Sequence, residues 1–142
     1  MRVELIRSKL EEIMESLRLV EENLPDDFET FESLGLIRDG MYKRIEFAIQ
    51  NVIDICAIIN SDLRLTMPEK EEDVFEGLVR AEIIPREMAE KLRLMKGFRN
   101  ILVRRYGRIN DELAFEVLHE HLNDIQEFVE FIEKLIENEK KM

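Results

Sequence analysis

Only one cysteine, Cys56, occurs in the 142 residues, so no disulfide and no thiolate metal site can form within a single chain. A reducing cytoplasm is the compartment this implies. Glycines number five and prolines three, too few to punctuate the many short strands of a sandwich or barrel. No apolar run reaches the length of a membrane span, and the N-terminal MRVELIRSKLEEIMESL alternates charge with apolar residues, unlike a signal peptide. The expectation is a soluble protein away from membranes. A Gly-rich phosphate loop, zinc-type spacing and a serine-centred triad are all missing, so neither a metal nor another cofactor is expected.

What is present is 45% apolar and 37% charged residues, dominated by the helix formers Glu, Leu, Lys and Arg. That composition predicts an all-α protein, and the length fits one domain over residues 1–142 that buries its own core. Abundant Glu and Lys beside only two Gln resembles the composition of heat-adapted proteins, which points to a thermophilic source.

Apolar positions Ile6, Leu10, Ile13, Leu17, Val20 and Leu24 recur three and four apart and predict a first helix ended by Pro25. Phe28, Phe31 and Leu34 suggest a brief helical turn. A long second helix follows along Ile37, Met41, Ile45, Ala48, Val52, Ile55 and Ile59. Ile49, Ile53, Cys56 and Ile58 widen its apolar surface, so it is either central or meets another subunit. A charged loop through Pro68 precedes a short helix around Val74 to Val79. Pro85 then opens a helix striped by Met88, Leu92, Met95, Phe98 and Leu102 and ending near Gly107. Asn110 is a fitting N-cap for one last helix running through Leu118, Leu122, Ile125, Val129, Ile132 and Ile136. Short links between long helices favour antiparallel neighbours, hence a four-helix bundle with an additional short helix.

Charge is distributed unevenly. Residues 91–108, KLRLMKGFRNILVRRYGR, hold seven Lys or Arg and no acid, in a chain of net charge -11. Outside that window 14 basic residues face 32 acidic ones. Such segregation points to an anionic partner, although the same cations also suit a solvated face near a helix C-terminus. At about 100° per residue, Tyr106 lies about 20° to one side of Arg99, with Asn100 about 100° and Arg104 about 140° to the other. With Met95, Phe98 and Leu102 turned to the core, this polar wedge is expected to face solvent or a partner. Arg forks suit phosphate oxygens, Asn can fix a ribose or phosphate oxygen, and a Tyr hydroxyl can position a group. Lys96 and Arg105 extend the cationic set. Tyr42, Lys43, Arg44 and Glu46 are polar enough to frame a site but equally suit an exposed helix face, while His119 and His121, about 200° apart on a helix, read as surface residues that cannot share a metal.

GFRNILVRRYGRIN resembles the HepT-like branch of the HEPN ribonucleases, whose signature reads Gly-Phe-Arg-Asn, three mostly apolar residues, His, any residue, Tyr. The likeness extends over VFEGLVRAEIIPREMAEKLRLMKGFRN and IEFAIQNVIDICAIIN, so it spans about Ile37 to Ile136. It implies a homodimeric HEPN-like bundle in which two motifs meet to form one RNA-cleaving cleft. It also implies a toxin working beside a minimal nucleotidyltransferase antitoxin that adenylylates the motif tyrosine. By this resemblance Arg99 binds the scissile phosphate, Asn100 supports the site, and Tyr106 is both an active-site residue and the modification target. One position departs from the signature: Arg104 stands where the family has His, and an arginine cannot act as general base or acid near neutral pH. The expectation is a metal-independent endoribonuclease that is inactive or impaired. A single base change converts a His codon to an Arg codon, so position 104 either carries an introduced substitution, belongs to a degenerate member that only binds, or leaves the proton transfers to another residue such as Tyr106. The alternative function is a non-catalytic module that docks a nucleotidyltransferase or presents a nucleotide.

Overall fold

The computed structural model describes residues 1–65, 73–103 and 110–141, and for Val103 the backbone alone. Seven helices form among them: α1 (Val3–Asn23), α2 (Phe28–Ser33), α3 (Leu36–Leu63), α4 (Val74–Arg80), α5 (Arg86–Val103), α6 (Asp111–Glu120) and α7 (Leu122–Lys140). Four are long, and they pack in a ring: α1 on α3, α3 on α5, α5 on α7, and α7 on α1. Arg2 pairs with Asp62 at 2.9 Å and Lys9 with Asp54 at 3.6 Å, so α1 and α3 run antiparallel. No strand occurs among the described residues, and no helix among them is long and apolar enough to cross a membrane. The all-α, HEPN-like bundle read from the sequence is the observed architecture.

Local chemistry sets the helix limits. Asp27 caps α2 by accepting from the Thr30 amide at 2.9 Å, Asp73 caps α4 by accepting from the Phe75 and Glu76 amides, and Asn110 caps α6 by accepting from the Leu113 amide. Gly35, at φ +58, supplies the left-handed turn that separates α2 from α3. At the other end of α3, Asn60 donates from Nδ2 to the carbonyls of Cys56 and Val74 and so ties the start of α4 to the central helix.

Helix α3 is central. Ile45, Ala48, Ile49, Val52, Ile55, Cys56 and Ile59 are all buried, against α1 on one side and α4 and α5 on the other. Fully burying one such aliphatic side chain stabilises by about 1.5–3 kcal/mol. Burial also pushes the Cys56 thiol far up, which makes it a packing residue rather than a nucleophile. The expected start of the α3 stripe is corrected: Ile37 is exposed, and burial begins one turn later at Met41.

The last helix is also corrected, because it is two. Its apolar spacing continues unbroken from Leu118 to Leu122 and Ile125, yet α6 ends at Glu120 and α7 begins at Leu122, with His121 between them at φ -119. Tertiary packing prevails over periodicity here. The Phe115 ring sits 5.8 Å from Phe28 and 5.2 Å from Phe31, drawing α6 toward α2, while α7 continues along α5 and α1. His121 becomes the joint and its Nδ1 meets the Asp124 carboxylate at 3.0 Å. His119 likewise does more than cover surface: its Nε2 lies 2.8 Å from the Pro25 carbonyl oxygen, pinning α6 to the α1–α2 link.

Candidate functional site

The distinctive chemistry of the chain lies on α5. Met95, Phe98 and Leu102 are buried as expected and hold this helix against the core. Lys91 bridges to Glu127 at 3.2 Å and Asp124 at 3.8 Å, fastening α5 to α7. Arg93 reaches the other way, donating to Asp73 at 2.5 Å and to Glu76 at 3.1 Å, and Arg86 also pairs with Glu76. Hydrogen bonding from Arg93 holds the Asp73 carboxyl below the usual carboxylate range, with the amides it caps adding to the effect. Lys91 and Arg93 are therefore structural cations.

Lys96 and Arg99 differ. Both are half-buried, and neither forms an ion pair with any described residue. Arg99 Nη1 donates to Asn100 Oδ1 at 3.4 Å, which joins two of the signature residues side by side. Arg99 Nε is buried and has no hydrogen-bond partner. A buried guanidinium N–H without an acceptor costs free energy, and an anionic oxygen placed there would recover it.

The outward face of α5 is apolar. Leu94 is 73% exposed and Ile101 48% exposed, and between them Gly97 has nothing within 4 Å of where a Cβ would stand. At about 100° per residue these three lie roughly 160–220° from Arg99. Of the polar wedge only Arg99 and Asn100 are described; both are half-buried, as is Lys96 beside them, and an apolar ridge is the more exposed face of the helix. Sequence reasoning missed that ridge, although the spacing Leu94, Gly97, Ile101 carries its signal. Arg104, Arg105, Tyr106 and the remaining cation Arg108 lie outside the described residues.

Just beyond that segment, α6 is fastened to the start of α3. Tyr42 donates its hydroxyl to Asp111 at 2.5 Å, and Arg38 approaches the same carboxylate at 3.7 Å while donating to the Glu32 carbonyl at 2.8 Å. Burial, and then the hydrogen bond to Asp111, push the Tyr42 phenol well above its ordinary value. Tyr42 is thus an internal strut, while Lys43 pairs with Glu46 at 3.3 Å on the surface and Arg44 is exposed.

Residues 13–132 match the family described as Ribonuclease HepT-like. Among characterised sequences the chain is similar to the mRNA nuclease HepT of Shewanella oneidensis, with 25% identity over 129 residues, 91% of this chain and 96% of that one. It is similar also to a putative RNase of Archaeoglobus fulgidus, with 29% identity over 137 residues, 96% of this chain and 97% of that one. Among solved structures it resembles a tri-AMPylated Shewanella oneidensis HEPN toxin in complex with MNT antitoxin, at TM-score 0.79 and 25% identity, covering 91% of this chain and 96% of the other. The fold alone is shared with the cytosolic protein YutE of Bacillus subtilis, at TM-score 0.81 and 16% identity, covering 97% and 92% of the two chains. The matched stretch runs from α1 into α7 and includes Arg99 and Asn100, and the chain belongs to the HepT-like ribonuclease family.

Proposed function

We propose that this protein is the toxin of a toxin–antitoxin pair, an endoribonuclease that cuts RNA without metal at a cleft shared by two copies of the chain, and that Arg104 leaves it inactive or strongly impaired. The observation that carries this reading is Arg99: a half-buried guanidinium next to Asn100, unpaired, with one N–H buried and unmet. That arrangement suits a phosphodiester oxygen. The Shewanella oneidensis matches support it, the sequence being named an mRNA nuclease and the structure a HEPN toxin in complex with MNT antitoxin.

Cleavage through the ribose 2′-hydroxyl needs a proton removed from that hydroxyl and another delivered to the leaving 5′-oxygen. Arg99 neutralises the charge that builds on the phosphate, and Lys96 and Arg105 guide the backbone of the RNA. Asn100 orients Arg99. The signature histidine is the proton carrier, and Arg104 in its place adds charge stabilisation without proton transfer. Tyr106 contributes its hydroxyl to the cleft and is the residue on which a minimal nucleotidyltransferase places adenylyl groups, which would block the cleft with phosphate and base. The apolar ridge of Leu94, Gly97 and Ile101, on the side of α5 away from Arg99, is exposed surface suited to an apolar contact with another chain. Because the rest of the chain is strongly acidic, RNA contact is confined to the Arg99 side.

The test is the Arg104→His variant, incubated with structured and unstructured RNA in excess chelator. It is expected to cut, and a second change, Arg99→Ala, is expected to abolish cutting in that background. A folded, dimeric Arg104→His protein that leaves all RNA intact would sink the nuclease reading. In that case the alternative, a module that docks a nucleotidyltransferase or presents a nucleotide, gains from a partner complex abolished by charge reversal at Arg99 and Arg105.

A further inference from the structure

On the side of the bundle formed by α1 and α7, residues of the two helices line an open groove of about 990 Å³. Its floor is apolar, made by Leu10, Leu17 and Ile136, with Met14 standing 37% exposed along it. From Arg7 to Glu21 on α1 and from Gln126 to Lys140 on α7, the lining positions follow one stripe of each helix. At 1.5 Å per residue each stripe is about 21 Å long, the length of a four-turn helix.

The rims carry an electrostatic strain that the fold leaves in place. Glu11 and Glu21 on one side, and Glu130, Glu133 and Glu137 on the other, have no ion-pair partner among the described residues. Glu130, Glu133 and Glu137 are three and four apart, a spacing at which like charges destabilise their own helix. The cations in the groove do little to offset this. Arg18 is held by Glu15 at 2.7 Å and Glu22 at 2.8 Å, and Arg7 leans on Glu4 at 3.6 Å, so only Lys134 and Lys140 oppose five free carboxylates.

We infer that this groove is a docking site for a cationic amphipathic helix of a partner protein, about 14 residues long, with an apolar stripe on the Leu10–Met14–Leu17–Ile136 floor and Lys or Arg on both shoulders. Apolar burial supplies attachment, and the paired shoulders select for charge and direction. Methionine on the floor adapts to different stripe residues. RNA and anionic lipid are repelled by the same rims. A second copy of this chain is the competing occupant; of its basic stretch, Lys91 and Arg93 are paired and Lys96 and Arg99 are half-buried in their own bundle. The groove uses α1 and α7 and none of the α5 signature residues, so the inference stands whether or not the protein cuts RNA.

The experiment uses the full chain and a synthetic, helix-stapled 14-residue peptide with a leucine stripe and lysine shoulders. Its control has identical composition scrambled to destroy the stripe. Amide chemical shifts are expected to change along residues 7–21 and 126–140, with the scrambled peptide binding at least about tenfold more weakly. Changing Glu130, Glu133 and Glu137 to Gln is expected to weaken binding about tenfold, the loss of three exposed charge contacts. Glu29→Gln, an exposed acid on α2 outside the groove, is expected to leave it unchanged, and circular dichroism checks that each variant is folded. Equal binding of the scrambled peptide, shift changes scattered over the acidic surface, or a homo-oligomer that Met14→Glu dissociates would each overturn the proposal.

Discussion

Replacing Leu94 by Ser tests which face of α5 meets a second copy, because the side chain is 73% exposed in the single chain and so contributes little to its folding. Full burial of a leucine side chain is worth about 1.5–3 kcal/mol, so covering the exposed three quarters stabilises a complex by about 1–2 kcal/mol. A two-fold dimer buries the residue twice, which brings the expected loss to about 2–4 kcal/mol. At 1.4 kcal/mol per decade, the dimer dissociation constant should rise roughly 30- to 700-fold.

Sedimentation velocity over a wide concentration range reads that change directly. Thermal unfolding at concentrations below the dissociation constant should be within about 2 °C of the parent, since a surface change of this kind stays within about 0.5 kcal/mol. The buried neighbour provides contrast: Leu102→Ser should lower the melting temperature severely whatever the oligomeric state. If Leu94→Ser leaves the dissociation constant within threefold of the parent, the ridge is not the contact between copies.

Acid stability should depend on Asp73. Its carboxyl is held below the ordinary value by Arg93, so its stabilising contribution is complete above the unfolded value of about 3.9 and is lost as pH falls through the folded one. In Asp73→Asn, urea titrations at neutral pH should show a loss of about 1 kcal/mol, and the further loss between pH 4 and pH 2 should be smaller than in the parent. Tyr42→Phe removes a charge-assisted bond whose acceptor, Asp111, keeps some water access; about 1–2 kcal/mol and about 3–6 °C of melting temperature are expected to go. A Tyr42→Phe protein as stable as the parent would show that the hydroxyl strut carries no load. Cys56, fully buried with its thiol pushed up, should resist alkylation in the native protein and react only at the rate of unfolding, which a time course in iodoacetamide measures.

The parts of this fold that sequence can reveal are those decided locally. Helices α1, α3 and α5 follow from their apolar stripes, with Pro25 after α1 and Pro85 before α5, and the caps Asp27, Asp73 and Asn110 of the shorter helices act within three residues of themselves. The break at His121 leaves no such local trace, because the cause is Phe115 reaching Phe28 and Phe31, more than 80 residues earlier in the chain. The site divides in the same way. The order Arg99, Asn100, Arg104, Tyr106 is legible as a signature, but which cations are free is not, since Glu127 lies 36 residues from Lys91 and Asp73 lies 20 from Arg93. Only the fold shows the selection: Arg86, Lys91 and Arg93 each receive a carboxylate, while Lys96 and Arg99 on the same helix receive none. In a chain with 32 acidic residues, pairing is the easy outcome for a helix cation. Lys96 and Arg99 are left unpaired and half-buried, Arg99 with an unmet N–H, and the proposed phosphate contact rests on that exception.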